Sequence, residues 1–138
     1  MDELEARRRF AGARIARLAT ADAQGQPHVV PLVLVLQGDT VYSAVDGKPK
    51  RHKALRRLAN VRLNPRVALL VDHYDDDWTA LWWVRADGAA RVLPPDDPEA
   101  ARAVHLLAAK YPQYVAAPPT GEVLAVAVDR WVSWSATP

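Results

Sequence analysis

Pro27-His28-Val29-Val30-Pro31-Leu32-Val33-Leu34-Val35-Leu36-Gln37-Gly38-Asp39-Thr40-Val41-Tyr42-Ser43-Ala44-Val45 is the stretch that decides the fold. His28 to Leu36 is rich in β-branched residues, far too short for a membrane-spanning helix, and closed by Gln37-Gly38-Asp39. It reads as a strand buried on both faces for most of its length. A tight Gly-Asp turn then leads into a further strand over residues 40–45. Upstream, residues 15–20 are apolar at alternate positions, and the Asp, Gly and Pro of residues 21–27 mark a turn. The first forty-five residues therefore read as an antiparallel meander, preceded by a helix over residues 2–13 with Leu4, Arg8 and Ala11 on one face.

Downstream the period changes. Residues 53–62 take helical spacing, with Leu55, Leu58, Ala59 and Arg62 on one side, and Asn64-Pro65 ends the segment. Residues 66–73 read as a strand, and Asp75-Asp76-Asp77 as an acidic connection. Residues 81–92 read as a long strand interrupted at Asp87-Gly88 by a hairpin tip or a bulge. Pro94-Pro95-Asp96-Asp97-Pro98-Glu99 opens a helix, its acids at the positive end of the dipole, that runs to about Lys110 and buries Ala103, Leu106, Leu107 and the stem of Lys110. Residues 123–134 form the closing strand. About six strands and three helices without a βαβ rhythm favour a small antiparallel barrel over a doubly wound sheet.

The chain has 138 residues, half of them hydrophobic and a quarter charged, which fits one soluble domain over residues 1–138. Its start is highly charged and lacks the apolar core of a signal peptide, so a cytoplasmic protein is expected. Cysteine is absent. That removes disulfides, thiolate nucleophiles and cysteine-based zinc sites, so redox chemistry requires a bound cofactor.

Net charge is only +2, yet the bases are unevenly placed. Eight Lys and Arg lie between Lys48 and Arg66, and no Asp or Glu occurs from Gly47 to Val71. Such a run is either a solvated helix face or an anion site. Gly47 and Pro49 favour the second by fixing a loop that presents Lys48 and Lys50. Nucleic acid would use the same charges, but the aromatics that stack on bases are missing from this stretch.

Trp82 and Trp83, adjacent on a strand, must point to opposite faces. One ring enters the core or a ligand site, and the other faces out, where a subunit contact or pocket wall would cover it. Both rings could also simply pack. Trp131 and Trp134 are read as packing or interface residues on opposite faces. The four histidines lack metal-ligand spacing, and the acidic run lacks the Gly and Glu of a calcium loop, so no metal is expected. Ser43, Ser133 and Ser135 lack a nucleophile-elbow setting, and no catalytic residue is assigned.

In order, residues 27–32, residues 38–43, the basic stretch from Lys48 to Leu58, and residues 64–70 resemble the pyridoxamine-5′-phosphate-oxidase-like split β-barrel. Asp72-His73-Tyr74 and residues 81–88 are similar to a subgroup of its actinobacterial oxidoreductases that use the deazaflavin F420. The resemblance spans nearly the whole chain. It implies a six-stranded antiparallel split β-barrel with flanking helices, and a homodimer with two cofactors in grooves at the subunit interface. By the same resemblance, Val30, Pro31 and Leu32 with Tyr42, Ser43 and Ala44 would line the cofactor ring. Lys48, Lys50, Lys53 and Arg57 would hold its phosphate and acidic tail, and Trp82 and Trp83 would come from the partner side or close the pocket.

F420 carries a lactyl-oligoglutamate tail where FMN carries one phosphate, and a run of bases without a counter-acid suits the longer polyanion. The implied reaction is hydride transfer between C5 of the reduced deazaflavin and an electrophilic carbon or imine of a small organic substrate. Tyr42, Tyr74 or water are the proton donors to consider. The alternatives are an FMN-dependent oxidase or reductase of the same fold, a non-catalytic binder of F420 or a tetrapyrrole, and a nucleic-acid binder.

Overall fold

The computed structural model describes residues 1–45 and 51–138, with side chains from Arg56 onward in the second span. Helix α1 (Glu3–Gly12) begins where the Asp2 side chain accepts from the Glu5 backbone N–H at 2.8 Å. That is an N-cap, with acidic residues following in the first turn. Strands β1 (Ala16–Ala21) and β2 (Pro27–Leu32) are joined by a turn around Gly25, whose φ of 80° suits glycine. Strands β3 (Val35–Gln37) and β4 (Thr40–Ala44) meet at Gly38, φ 61°. Helix α2 (Arg51–Leu63) leads to β5 (Arg66–His73), a single 3-10 turn at Trp78–Ala80, and β6 (Trp82–Leu93). Helices α3 (Pro98–Lys110) and α4 (Gln113–Ala116) precede β7 (Val123–Ser135).

These strands form one antiparallel sheet in the order β2-β1-β5-β6-β7-β4-β3. Strands β2 and β3 are its two opposite edges, yet only Val33 and Leu34 separate them in the chain. Two residues span roughly 10 Å at most, so the sheet must roll until its edges approach at that point. The result is a rolled sheet that is not closed by a ladder, which is what a split barrel means physically.

Two expectations are corrected. There are seven strands, because the run His28–Leu36 is not one strand but breaks at Val33-Leu34. Nor is β2 buried on both faces: Pro27, Val29 and Pro31 are exposed while Leu32 is buried. The break is held from far away in sequence. The Tyr111 hydroxyl accepts from the Leu34 N–H at 3.0 Å and lies 2.9 Å from the Arg14 carbonyl. The Lys110 ammonium donates to the carbonyls of Leu34, Ala11 and Ala13 at 2.7–3.0 Å. The end of α3 thus pins the joint between the sheet edges to the end of α1.

The interior of the roll is filled from the strands by Leu18, Leu69, Val84, Ala86, Leu124 and Val126. Phe10 of α1 enters it edge-on against Trp131 at 5.1 Å, and Leu58 and Val61 of α2 complete it. Helix α1 therefore buries Ala6 and Phe10, whereas Leu4 is 79% exposed, which corrects the expected face. Helix α2 is fixed to β1 by a buried hydrogen bond from Asn60 Nδ2 to Thr20 Oγ1 at 3.0 Å. A second cluster packs α3 through Ala100, Ala103 and Leu107 onto Tyr42, Ala44 and Val123. The interruption at Asp87-Gly88 is a bulge within β6, where the register with β7 shifts.

Candidate functional site

Strand alternation puts every second side chain of the sheet on its outer face. On β2, β1, β5 and β6 that face carries Val29, then Ala19, then Ala68 and Leu70, then Trp83. Together they floor an open apolar groove of about 480 Å³, within the size range of small-molecule sites. Charged residues rim it: Arg17 pairs with Asp72 at 2.9 Å, and Arg85 pairs with Asp87 at 2.8 Å. Trp134, 44% exposed, lies opposite Trp83 in the β6–β7 ladder and extends the apolar surface past the groove. The two tryptophans of the Trp82-Trp83 pair do face opposite ways: Trp82 packs against the core, and Trp83 lines the groove.

A second feature lies beyond the end of β4. Ser43 is 5% exposed, and its hydroxyl has no hydrogen-bond partner among the described residues. On α2, Arg57 is half-buried, and burial pushes its guanidinium below its ordinary value, with the Tyr114 hydroxyl acting weakly the other way. No carboxylate pairs with Arg57 among the described residues. The basic stretch is narrower than its sequence suggests, because Arg62 pairs with Glu122 at 2.6 Å and Arg66 with Asp129 at 2.7 Å. A partly desolvated guanidinium with no carboxylate partner among the described residues fits the anionic part of a phosphate-bearing cofactor.

The residues expected to line a cofactor ring are not gathered in one pocket of a single copy. Val30 and Leu32 pack into the core, Pro31 is exposed beside the groove floor, and Ser43 faces the interior. Tyr42 and Ala44 lie beneath α3. Lys48 and Lys50 lie outside the described residues, as does the side chain of Lys53. The residues that sequence reading passed over are Arg17, Asp72 and Arg85. Each is a charged residue next to apolar neighbours in its strand, the available signal that the alternate face does more than meet solvent.

Tyr42 is committed elsewhere. Its hydroxyl donates to Glu99 Oε2 at 2.7 Å, and burial, then the Glu99 contact, push the phenol up. Arg91 donates to both Glu99 oxygens, at 2.9 and 2.6 Å. Arg91 and then Tyr42 hold the Glu99 carboxyl down at about 2. A carboxyl lowered on folding contributes stability above its unfolded value, and that contribution is lost as pH falls toward about 2. Glu99→Gln is therefore expected to lower Tm at pH 7, with the difference from wild type shrinking steadily below pH ~4.5. Thermal melts of both proteins across that range check it; a gap that persists unchanged to pH ~2 counts against the pairing.

The family model of pyridoxamine 5′-phosphate oxidase matches residues 3–135. The chain belongs to that family. No curated protein matches the sequence. Solved structures with the pyridoxamine 5′-phosphate oxidase fold superpose over nearly its whole length. A conserved hypothetical protein of Mycobacterium tuberculosis aligns with TM-score 0.76 and 23% identity, covering 99% of this chain and 86% of the other. A FAD-binding protein of Mesorhizobium loti gives 0.75 and 21%, covering 96% and 94%. HutZ, a heme storage protein of Vibrio cholerae, gives 0.75 and 16%, covering 96% and 93%. At these identities the likeness establishes the fold. The fold is thus shared with a FAD-binding protein and a heme storage protein. Among the described residues, no helix is long and apolar enough to cross a membrane.

Proposed function

We propose that the protein is an F420-dependent oxidoreductase that works as a homodimer, one cofactor-binding domain per chain. The observation that carries this reading is Arg57: a half-buried guanidinium with no carboxylate partner among the described residues. It follows a segment, Lys48 to Arg56, that holds five further bases and no acid. A protein tolerates a desolvated cation when something anionic completes it. Six bases suit a phosphodiester followed by several carboxylates better than a single phosphate.

A homodimer would bring together two surfaces that this reading uses. The apolar groove is on β2-β1-β5-β6, whereas the basic segment follows β4 in sequence, nearer the other end of the strand order. In the proposed dimer, a site that uses both draws on two copies. A sheet face exposing Val29 at 61% and Trp134 at 44% also needs cover. In such a site Lys48, Lys50, Lys53 and Arg57 bind the polyanionic tail. Trp83 with the apolar strand residues forms a flat, water-excluding wall. When bound, the deazaflavin supplies a hydride to a small electrophilic organic substrate.

The test is a parallel titration of the purified protein with F420, FMN and heme, following tryptophan quenching at moderate salt, with its mass measured by light scattering. Submicromolar binding of F420 by a dimer, much tighter than of FMN, is the expected result. Selective binding of FMN would replace the cofactor while keeping the site. Selective binding of heme, or a monomer that binds none of the three, would overturn the oxidoreductase reading.

A further inference from the structure

The sheet-face groove does not end at Asp72. Arg17, Asp72 and Tyr74 also line an adjoining polar depression of about 510 Å³, between the end of α1 and the β5–β6 strands. Its flat wall is Trp82, whose indole carries the Arg9 guanidinium at 5.2 Å and stacks with His73 at 6.2 Å and 20°. Arg9, Arg14 and Arg17 are among its lining residues. Two are answered by acids: Arg9 by Glu5 at 2.8 Å and Arg17 by Asp72 at 2.9 Å. His73 lies 3.8 Å from Asp75.

Arg14 is different. Its guanidinium donates to the Lys110 carbonyl at 3.1 Å and lies 5.8 Å from the Tyr111 ring centre, and no carboxylate pairs with it among the described residues. Behind it stands the Lys110 ammonium, held by three backbone carbonyls and no acid. Burial, and then the charge of Arg14, push Lys110 down to about 8, so the two cations act against each other. An apolar groove that opens onto an indole and an arginine with no carboxylate partner among the described residues is shaped for a molecule with an apolar body and an anionic end.

We infer that this depression is a subsite for the carboxylate or phosphate of a small planar molecule, with Arg14 meeting the anion and Trp82 flanking it. The inference rests on reading the groove as the substrate side of the cofactor site, and it narrows the substrate class to planar organic acids or phosphate esters. The competing role for Arg14 is purely structural, a cation on the last-turn carbonyls of α3. The two roles separate under mutation.

The probes are benzoate, phenyl phosphate and, as the neutral control, benzamide, added to the cofactor-free full-length protein labelled with 15N-tryptophan. The Trp82 indole N–H, identified by its loss in Trp82→Phe, is expected to shift saturably with benzoate or phenyl phosphate and not with benzamide. Whichever anion shifts it at lower concentration tells carboxylate from phosphate. Arg14→Gln should weaken that binding about tenfold or more, Arg14→Lys should restore part of it, and F420 affinity should stay within about twofold of wild type. Equal responses to benzamide and the anions, or an Arg14→Gln variant that lowers Tm without weakening anion binding, would overturn the subsite. Because the titration is run without cofactor, a protein that fails to bind F420 leaves this result readable.

Discussion

Gly88→Ala is expected to lower Tm by roughly 10 °C, a loss of ~3 kcal/mol. A Cβ built on Gly88 would sit 2.3 Å from the Ala127 carbonyl oxygen and 2.9 Å from its carbon. Both are backbone atoms of the neighbouring strand, so no side-chain rotation relieves the overlap. Gly88 stands at the bulge where β6 slips its register against β7, and there the two backbones approach more closely than a side chain permits. Either the ladder opens or the bulge moves, and the β6–β7 pairing is the longest in the sheet. Gly12→Ala is the matched control, since nothing lies within 4 Å of its Cβ position; it should leave Tm unchanged or raise it. Melts of both variants by circular dichroism decide the matter. A Gly88→Ala protein that melts within 1 °C of wild type would show that the close approach is dispensable.

The local signals in the chain were sound wherever one segment determines its own shape. The start of α3 falls inside the residue 94–99 stretch that opens it in sequence, with Pro98 at the first helical position and Asp97 accepting from the Glu99 N–H at 2.8 Å. The opposed faces of Trp82 and Trp83 follow from strand geometry alone. Val33-Leu34-Val35 shows the limit, since continuous apolar residues have no period to reveal a break. What breaks the strand is Lys110 and Tyr111, more than seventy residues away. The face of α1 was misread for a related reason: Leu4 and Phe10 are both apolar, and only the position of Trp131 on β7 selects Phe10.

The site divides along the same line. The basic run is visible as charge, but the pairing of Arg62 with Glu122 and of Arg66 with Asp129 depends on where β7 and its approach fall. Tyr42 reads as a free strand tyrosine until Glu99 and Arg91 converge on it. The groove is the least legible part, because its floor joins residues from four strands whose pairing spans β1 to β6. Ala19, Ala68 and Leu70 carry no signal individually; only the sheet order makes them one surface.

Arg57 provides the sharpest test of the cofactor reading, because its two expected effects have opposite signs. In the ligand-free protein a half-buried guanidinium with no carboxylate partner among the described residues is a net cost, and burial lowers its proton affinity. Arg57→Met keeps much of the side-chain volume and removes the charge, so Tm should hold or rise. Binding should move the other way. A charge-assisted hydrogen bond to a phosphate or carboxylate contributes roughly 1.5–3 kcal/mol, so the variant should bind F420 about 10- to 100-fold more weakly. Replacing Lys48, Lys50 and Lys53 with Gln in the same background should weaken it further and flatten the salt dependence of binding, since those bases act through a screened field. A structural arginine would give the reverse pattern: a lower Tm with unchanged affinity. Isothermal titration and thermal melts on the same two variants therefore separate an arginine that awaits an anion from one that only holds α2 in place.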